Sequence, residues 1–77
     1  MDGLNKQIIA ARRDLERAER DYARLQHRRE EIMARPARDE ARRGRFIRRI
    51  DGEIAAAHGR VINAEACLEG LMSAEGE

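Results

Sequence analysis

The sequence predicts an all-α fold: an antiparallel two-helix coiled-coil hairpin that dimerises into a four-helix bundle. Three observations lead to this prediction. Apolar residues recur at spacings of four and three along both halves of the chain, the only proline lies between the halves, and a row of small residues follows one face of the second half. Strands are not expected, because period-two alternation is absent and aromatic residues make up only 3% of the chain.

The first predicted helix covers about residues 3–34, and Asp2 can cap it. Its apolar stripe has the a/d spacing of a coiled coil. Arg29 interrupts the stripe, either because the hairpin loosens there and the side chain reaches water, or because Arg29 joins a basic surface at the turn. The stripe consists of Leu4, Ile8, Ala11, Leu15, Ala18, Tyr22, Leu25 and Ile32.

A tight turn is predicted at about residues 35–37, where the chain's single proline lies. Pro36 disfavours a helical conformation at Arg35 and fits the first position of a new helix. Asp39 and Glu40 then lie near the positive end of that helix, which favours acidic side chains.

The second predicted helix covers about residues 38–72, and residues 73–77 are expected to fray. Its apolar stripe has the same alternating spacing as the first one and no interruption. The members of this second stripe are Ile47, Ile50, Ile54, Ala57, Val61, Ala64, Leu68 and Leu71.

A short connection makes the two helices antiparallel neighbours within one domain, residues 1–77. With the turn near Pro36, the numbers of facing residues add up to roughly 72 in such a hairpin. Tyr22 then faces Ile50, and large residues face small ones in most layers, as a close-packed seam requires. The expected rod is about 45–50 Å long, at 1.5 Å per residue.

The charge is unevenly distributed along the chain. Charged residues make up 40% of the sequence, yet the net charge is only +1. Residues 24–49 carry ten arginines against four acids, whereas residues 50–77 carry one arginine against six acids. The hairpin places the basic group at its turn, and this asymmetry indicates an electrostatic contact with a partner.

The predicted binding surface combines the basic tip with a ridge on the outer face of the first helix. We expect this surface to bind or block a larger protein or nucleoprotein, as an adaptor or an inhibitor carried by a mobile element does. Direct, sequence-nonspecific binding of RNA or DNA is the alternative, because arginine forks fit phosphate oxygens. The candidate residues are Arg13, Arg17, Arg20 and Arg24 on the ridge and Arg28, Arg29, Arg35, Arg38, Arg42, Arg43, Arg45, Arg48 and Arg49 at the tip.

Two considerations weaken the nucleic-acid alternative. The arginines could pair with acids three or four residues away, as Asp14 with Arg17 could, and such pairs would neutralise much of the ridge. The only aromatic residues are Tyr22 and Phe46, so base-specific recognition of single strands is not expected.

A row of small residues on the second helix predicts self-association. Each glycine inside an exposed helix costs about 0.8–1 kcal/mol relative to alanine, and packing against another helix can recover that loss. The alternative is a solvated face that gathered alanine and glycine through codon bias. The predicted homodimer surface consists of Gly52, Ala55, Ala56, Gly59, Ile62, Asn63, Ala66 and Gly70, together with Ile9 of the first helix.

The sequence offers little for catalysis or for metal binding. It has one serine, no threonine, one cysteine and two histidines, without metal-ligand spacing or a phosphate loop. We therefore expect no enzyme, no metal, no cofactor and no small-molecule substrate.

The predicted compartment is the cytoplasm. Cys67 is the only cysteine, which fits a reducing environment, and it is expected to be a packing residue. No apolar stretch approaches the ~20 residues that span a bilayer. The opening MDGLNKQ lacks the pattern of a signal peptide, so neither a membrane contact nor secretion is expected.

Overall fold

Two helices pack along each other in an antiparallel hairpin, as the sequence predicts. The structure, a computed structural model, describes residues 2–76. Helix α1 covers Asp2–Ala34 and helix α2 covers Glu40–Gly76. The rod measures 59 × 14 × 14 Å, somewhat longer than expected, because α2 extends further at its carboxyl end than predicted. The proposed Asp2 cap concerns a side chain outside the part that the structure describes.

The two apolar stripes form the interface between the helices, and this prediction is confirmed. Every described member of either stripe is buried or half-buried, and Arg29, which interrupts the first stripe, is half-buried too. Ala57 has no exposed surface at all, so the helices approach closely at that level. The buried core consists of Ile8, Ala11, Ala18, Ile50, Ala57 and Val61.

The connector is longer than the predicted turn, because Asp39 and not Pro36 starts the second helix. The Asp39 Oδ1 atom accepts a hydrogen bond from the backbone N–H of Arg42 at 3.1 Å. Its carbonyl oxygen accepts one from the backbone N–H of Arg43 at 3.0 Å. These bonds are those of an N-cap residue, so residues 35–39 stay outside the helices.

Two contacts across the hairpin fix its register. The rings of Tyr22 and His58 lie 5.3 Å apart, and the Arg29 Nε atom donates a hydrogen bond to Asp51 Oδ1 at 2.7 Å. The residue numbers of each pair add up to 80. The predicted register, with a sum of roughly 72 for a turn centred on Pro36, is therefore wrong.

The register differs from the predicted one by about eight residues, close to one heptad. Because both stripes repeat with the same period, a shift of one heptad again brings apolar residues opposite apolar residues. A shift of one heptad from a sum of 72 gives 79, which pairs the stripe residues Tyr22 and Ala57, so a large side chain still faces a small one. The shift also explains why α2 continues to Gly76: its last turn lies alongside the first turn of α1.

Arg29 occupies its stripe position because it reaches the other helix. Its ion pair with Asp51 joins two side chains that are 40% and 50% exposed. The pair lies at the edge of the interface, where the guanidinium keeps part of its hydration. Arg29 thus neither marks a loosened hairpin nor points away into a basic surface.

Two further side chains lie at the surface of the hairpin. The exposed His58 ring packs against the Tyr22 ring at an angle of 30°. Cys67 is exposed, so it is not the packing residue that the sequence suggested. Over the residues that the structure describes, neither helix has a long enough apolar segment to cross a membrane.

The register predicts an energetic coupling between Arg29 and Asp51. In a double-mutant cycle of Arg29→Ala and Asp51→Ala, urea unfolding should give a coupling of about 0.2–1 kcal/mol, the range for partly exposed ion pairs. The control cycle replaces Asp51→Ala with Glu53→Ala and should give no coupling. A coupling of zero for Arg29 and Asp51 would contradict the register.

Candidate partner-binding site at the connector

The thirteen arginines proposed for binding do not form one uniform surface. All of them are exposed except Arg29 and Arg43, which are half-buried. Arg29 is held by Asp51, and Arg24 on the ridge pairs with Asp21 at 3.3 Å. The arginines nearest the connector differ from the rest, because they surround an exposed aromatic ring.

That ring belongs to Phe46, which is 47% exposed. The register places Phe46 beside the end of α1, where it shares clefts with Ile32, Pro36 and Ala37. We call these four apolar residues and the arginines around them the Phe46 cluster. Its arginines are Arg28, Arg35, Arg38, Arg42, Arg43, Arg45 and Arg49.

The main cleft of the Phe46 cluster has a volume of about 300 Å³ and lies between the end of α1, the connector and the start of α2. A neighbouring cleft of about 260 Å³ runs from Phe46 past Ile32 to Arg28. The Arg42 guanidinium carbon stands 5.8 Å from the centroid of the Phe46 ring, within the range of a cation–π contact. The cluster is thus a shallow apolar depression with a cationic rim.

The carboxylates near the cluster are already engaged. Asp39 caps α2, and Glu40 pairs with Arg43 at 3.3 Å. Glu53 lies 3.9 Å from Arg49, and Glu31 lies 3.0 Å from His27 Nε2. Arg43 also donates to the carbonyl oxygen of Arg35, which ties the connector to α2. These acids therefore stabilise the local structure and leave part of the positive charge unpaired.

Five arginines of the cluster have no carboxylate partner for the side chain. Among the residues that the structure describes, no carboxylate oxygen lies within 4.0 Å of a guanidinium nitrogen of Arg28, Arg35, Arg38, Arg42 or Arg45. Their guanidinium groups keep all their donors for an external ligand. The rim is therefore the part of the molecule best suited to bind negative charge.

The ridge on α1 is basic, and none of its four arginines lines the clefts of the Phe46 cluster. Within residues 3–74 the structure does not form the pair of Asp14 with Arg17 that the sequence allows, nor one of Glu16 with Arg20. Arg13, Arg17 and Arg20 remain exposed. The ridge can extend a contact made at the cluster through charge alone.

Sequence reasoning missed Phe46 as a site residue. In the predicted register, with a sum of roughly 72, Phe46 was expected to face Gln26 of α1 and to lie away from Pro36. One signal was available: Phe46 stands directly before the stripe residue Ile47, so it cannot join the stripe, and it is an aromatic residue among arginines. An aromatic residue excluded from the core and surrounded by charge is a candidate for contact with a partner.

The small-residue row on α2 is open in the hairpin. All its members are exposed except Gly59, which is half-buried. A Cβ atom added at Gly52, Gly59 or Gly70 would meet nothing within 4 Å, so no contact inside the hairpin requires glycine there. Ile62 and Ile9 are 52% and 44% exposed.

A metal site requires several ligand side chains close to one another. Over the described residues, no three or more side chains of His, Cys, Asp or Glu are close enough to hold a metal ion. His27 contacts Glu31, and His58 contacts Tyr22.

Comparison of the chain with protein-family models, with curated proteins and with solved structures gives no match. The candidate site therefore has to be interpreted from its own geometry.

The Asp39 cap predicts a specific loss of stability. Asp39→Ala should lower the free energy of unfolding by about 0.5–2 kcal/mol, because the N–H of Arg42 loses its partner. Asp39→Asn keeps a capping oxygen and should stay close to the wild type in urea unfolding. Asp14→Ala is the charge-matched control: Asp14 is exposed, lies inside α1 and caps no helix, so this variant should have little effect on stability. Equal losses for Asp39→Ala and Asp14→Ala would contradict the cap.

Proposed function

We propose that this chain is a non-enzymatic interaction protein that binds or blocks a larger protein or nucleoprotein through the Phe46 cluster and the adjoining ridge. One observation carries the proposal: five exposed arginines, whose guanidinium groups have no carboxylate partner among the described residues, surround a half-exposed aromatic ring. An adaptor or an inhibitor needs such a contact surface and no chemistry of its own.

The composition of the cluster supports a protein partner. Aromatic residues and arginine are enriched at protein–protein interfaces and supply most of the binding energy there. Phe46 supplies apolar area to bury, and Arg42 already lies against its ring. The ends of α1 and α2 hold the cluster in place, so binding requires little ordering of the chain.

A non-enzymatic role is consistent with the available side chains. The only serine is Ser73, and the only thiol is that of Cys67. Among the described contacts, His27 pairs with Glu31 and His58 packs against Tyr22, so neither lies between a serine or thiol nucleophile and an orienting acid.

Nucleic-acid binding through the same arginines is the alternative function. The unpaired guanidinium groups of the rim favour it, because they fit phosphate oxygens as well as carboxylates. The aromatic content does not, since Tyr22 is stacked on His58 and leaves Phe46 as the exposed ring. Binding of this kind would rest on phosphate contacts and would depend strongly on salt.

Affinity capture with matched charge reversals tests the proposal. The double variant Arg38→Glu and Arg45→Glu should lose the protein that copurifies with the wild type from the cells that encode this chain. The control Arg12→Glu and Arg60→Glu makes the same change of charge at exposed arginines outside the proposed surface and should retain it. Quantitative mass spectrometry after nuclease treatment gives the readout, and circular dichroism confirms that both variants stay helical.

Equal capture by the cluster variant and the control would contradict the proposal. A mobility-shift assay with generic RNA and duplex DNA decides the alternative. Binding that falls by about 10³–10⁵ between about 50 and 200 mM salt would establish the nucleic-acid function. No shift at the lower salt concentration would exclude it.

We also propose that two copies associate through the small-residue row of α2 to form a four-helix bundle. Three glycines inside one helix, two exposed and one half-buried, reduce its stability by about 2–3 kcal/mol in total unless another surface packs there. Packing would also cover Ile62, the most exposed of the large apolar residues that the structure describes. Most soluble homo-oligomers are two-fold symmetric dimers, in which the same surface of both copies forms the contact.

An antiparallel arrangement about Gly59 suits the charges of α2. Residues equally distant from Gly59 on either side then face each other across the two-fold axis. Arg49 of one copy would lie opposite Glu69 of the other, since each is ten residues from Gly59. The basic start of one α2 would thus lie beside the acidic end of the other.

Sedimentation of matched glycine variants tests the dimer. Wild-type protein should sediment as a dimer of the 8.8 kDa chain, and Gly59→Glu should sediment as a monomer, because a buried carboxylate would stand in the helix contact. Gly44→Glu makes the same substitution in α2 outside the row and should remain dimeric. Gly59→Ala should remain dimeric too, since it keeps the side chain small. A dimeric Gly59→Glu variant would place the contact elsewhere.

A further inference from the structure

The main cleft of the Phe46 cluster combines an apolar floor with a cationic rim. Ile32, Pro36, Ala37 and Phe46 provide the floor, and they come from both helices and the connector. Proline and the two aliphatic side chains offer no hydrogen-bond donor or acceptor from their side chains, so the floor itself selects apolar groups. A ligand that fills the cleft must therefore carry an apolar group.

The size of the cleft indicates what kind of apolar group fits. Its volume of about 300 Å³ is at the lower limit of the ~300–1,000 Å³ found for small-molecule sites. The cleft is also largely open to solvent, so it cannot enclose a whole small ligand. A single side chain that projects from a larger partner matches both properties.

The rim indicates the charge of the ligand around that side chain. Arg35 and Arg38 stand on the connector side of the cleft, and Arg28 and Arg45 lie beside the clefts that adjoin Phe46. None of the four has a carboxylate within 4.0 Å among the described residues. Carboxylates on either side of the inserted side chain would meet these guanidinium groups in charge-assisted hydrogen bonds.

A nucleobase fits the same cleft less well. Stacking needs an open ring face, and Arg42 stands over the ring of Phe46 at 5.8 Å. The aliphatic floor offers no partner to the polar edge of a base. Charge complementarity and the apolar floor together favour a peptide over a nucleic acid.

We propose that the Phe46 cluster binds an acidic peptide segment of the partner and that an aliphatic side chain of this segment inserts beside Phe46. The inference rests on the proposed function and specifies the chemistry of the partner. The aliphatic side chain provides the buried area, and the flanking carboxylates bind the rim arginines. Phe46 is then the residue whose truncation costs the most affinity.

Two labelled peptides test this inference directly. One has a leucine between runs of glutamate, and the other has serine in place of that leucine. Fluorescence anisotropy at low salt should show that the wild type binds the leucine peptide more tightly. Phe46→Ala should weaken binding of the leucine peptide at least about tenfold. The same substitution should leave binding of the serine peptide almost unchanged. Replacing Arg38 and Arg45 with glutamine removes two positive charges and should weaken the binding of both peptides.

Met33→Ala is the matched control for Phe46→Ala. Met33 is 48% exposed, as Phe46 is at 47%, but it does not line the clefts of the Phe46 cluster. This variant should bind both peptides like the wild type. A second readout needs no variant: in the wild type, the leucine peptide should shift the NMR signals of Ile32 and Ala37 more than the serine peptide does.

Three results would overturn the inference. The wild type could bind the two peptides with equal affinity, or Phe46→Ala and Met33→Ala could have equal effects on binding. The third result is binding of a single-stranded oligonucleotide that depends on Phe46, without binding of the leucine peptide. A different result would show that the proposed function itself is wrong: the Arg38→Glu and Arg45→Glu variant would still capture the partner. If that capture is lost while the two peptides bind equally, the contact surface stands and only the chemistry of its ligand is wrong.

Discussion

The hydrogen bond from the Arg42 N–H to the Asp39 carboxylate sets the starting point of α2, and the rest of the hairpin depends on that starting point. A helix begins where its first free N–H groups find acceptors. Pro36 could have opened the helix, but proline supplies no side-chain acceptor for these groups. The five-residue connector that results allows α2 to lie about one heptad further along α1 than a tight turn would allow.

The helices and their apolar faces could be predicted from the sequence, because local periodicity determines both. The register could not be predicted from periodicity, since two stripes with the same repeat match again after a shift of one heptad. Polar residues at the seam distinguish the alternatives. In the predicted register Arg29 would have faced Arg43, whereas in the structure it meets Asp51. Like charges facing each other across a seam are unfavourable, and that mismatch was visible in the sequence.

The candidate site illustrates the same limit. Composition and charge identified the arginines near the connector, because ten of them outnumber four acids over residues 24–49. They could not identify the apolar floor of the Phe46 cluster, because Phe46 and Pro36 come together only in the correct register. Nor could they show which arginines are free. An acid three residues from an arginine does not always pair with its side chain. Glu40 pairs with Arg43, but Asp39 caps the helix by accepting a hydrogen bond from the backbone N–H of Arg42.

The two proposed surfaces use different parts of α2, and this separation allows both to act in one molecule. Phe46 lies thirteen residues before Gly59, which is about 20 Å along a helix at 1.5 Å per residue. A second copy packed on the glycine row would therefore leave Phe46 and the connector uncovered, whereas Arg49 at the edge of the cluster would face Glu69 of the other copy. In an antiparallel dimer the two clusters point to opposite ends of the bundle. Such a dimer could hold two acidic segments at once, and simultaneous binding raises the overall affinity only where the partner presents its segments at that spacing.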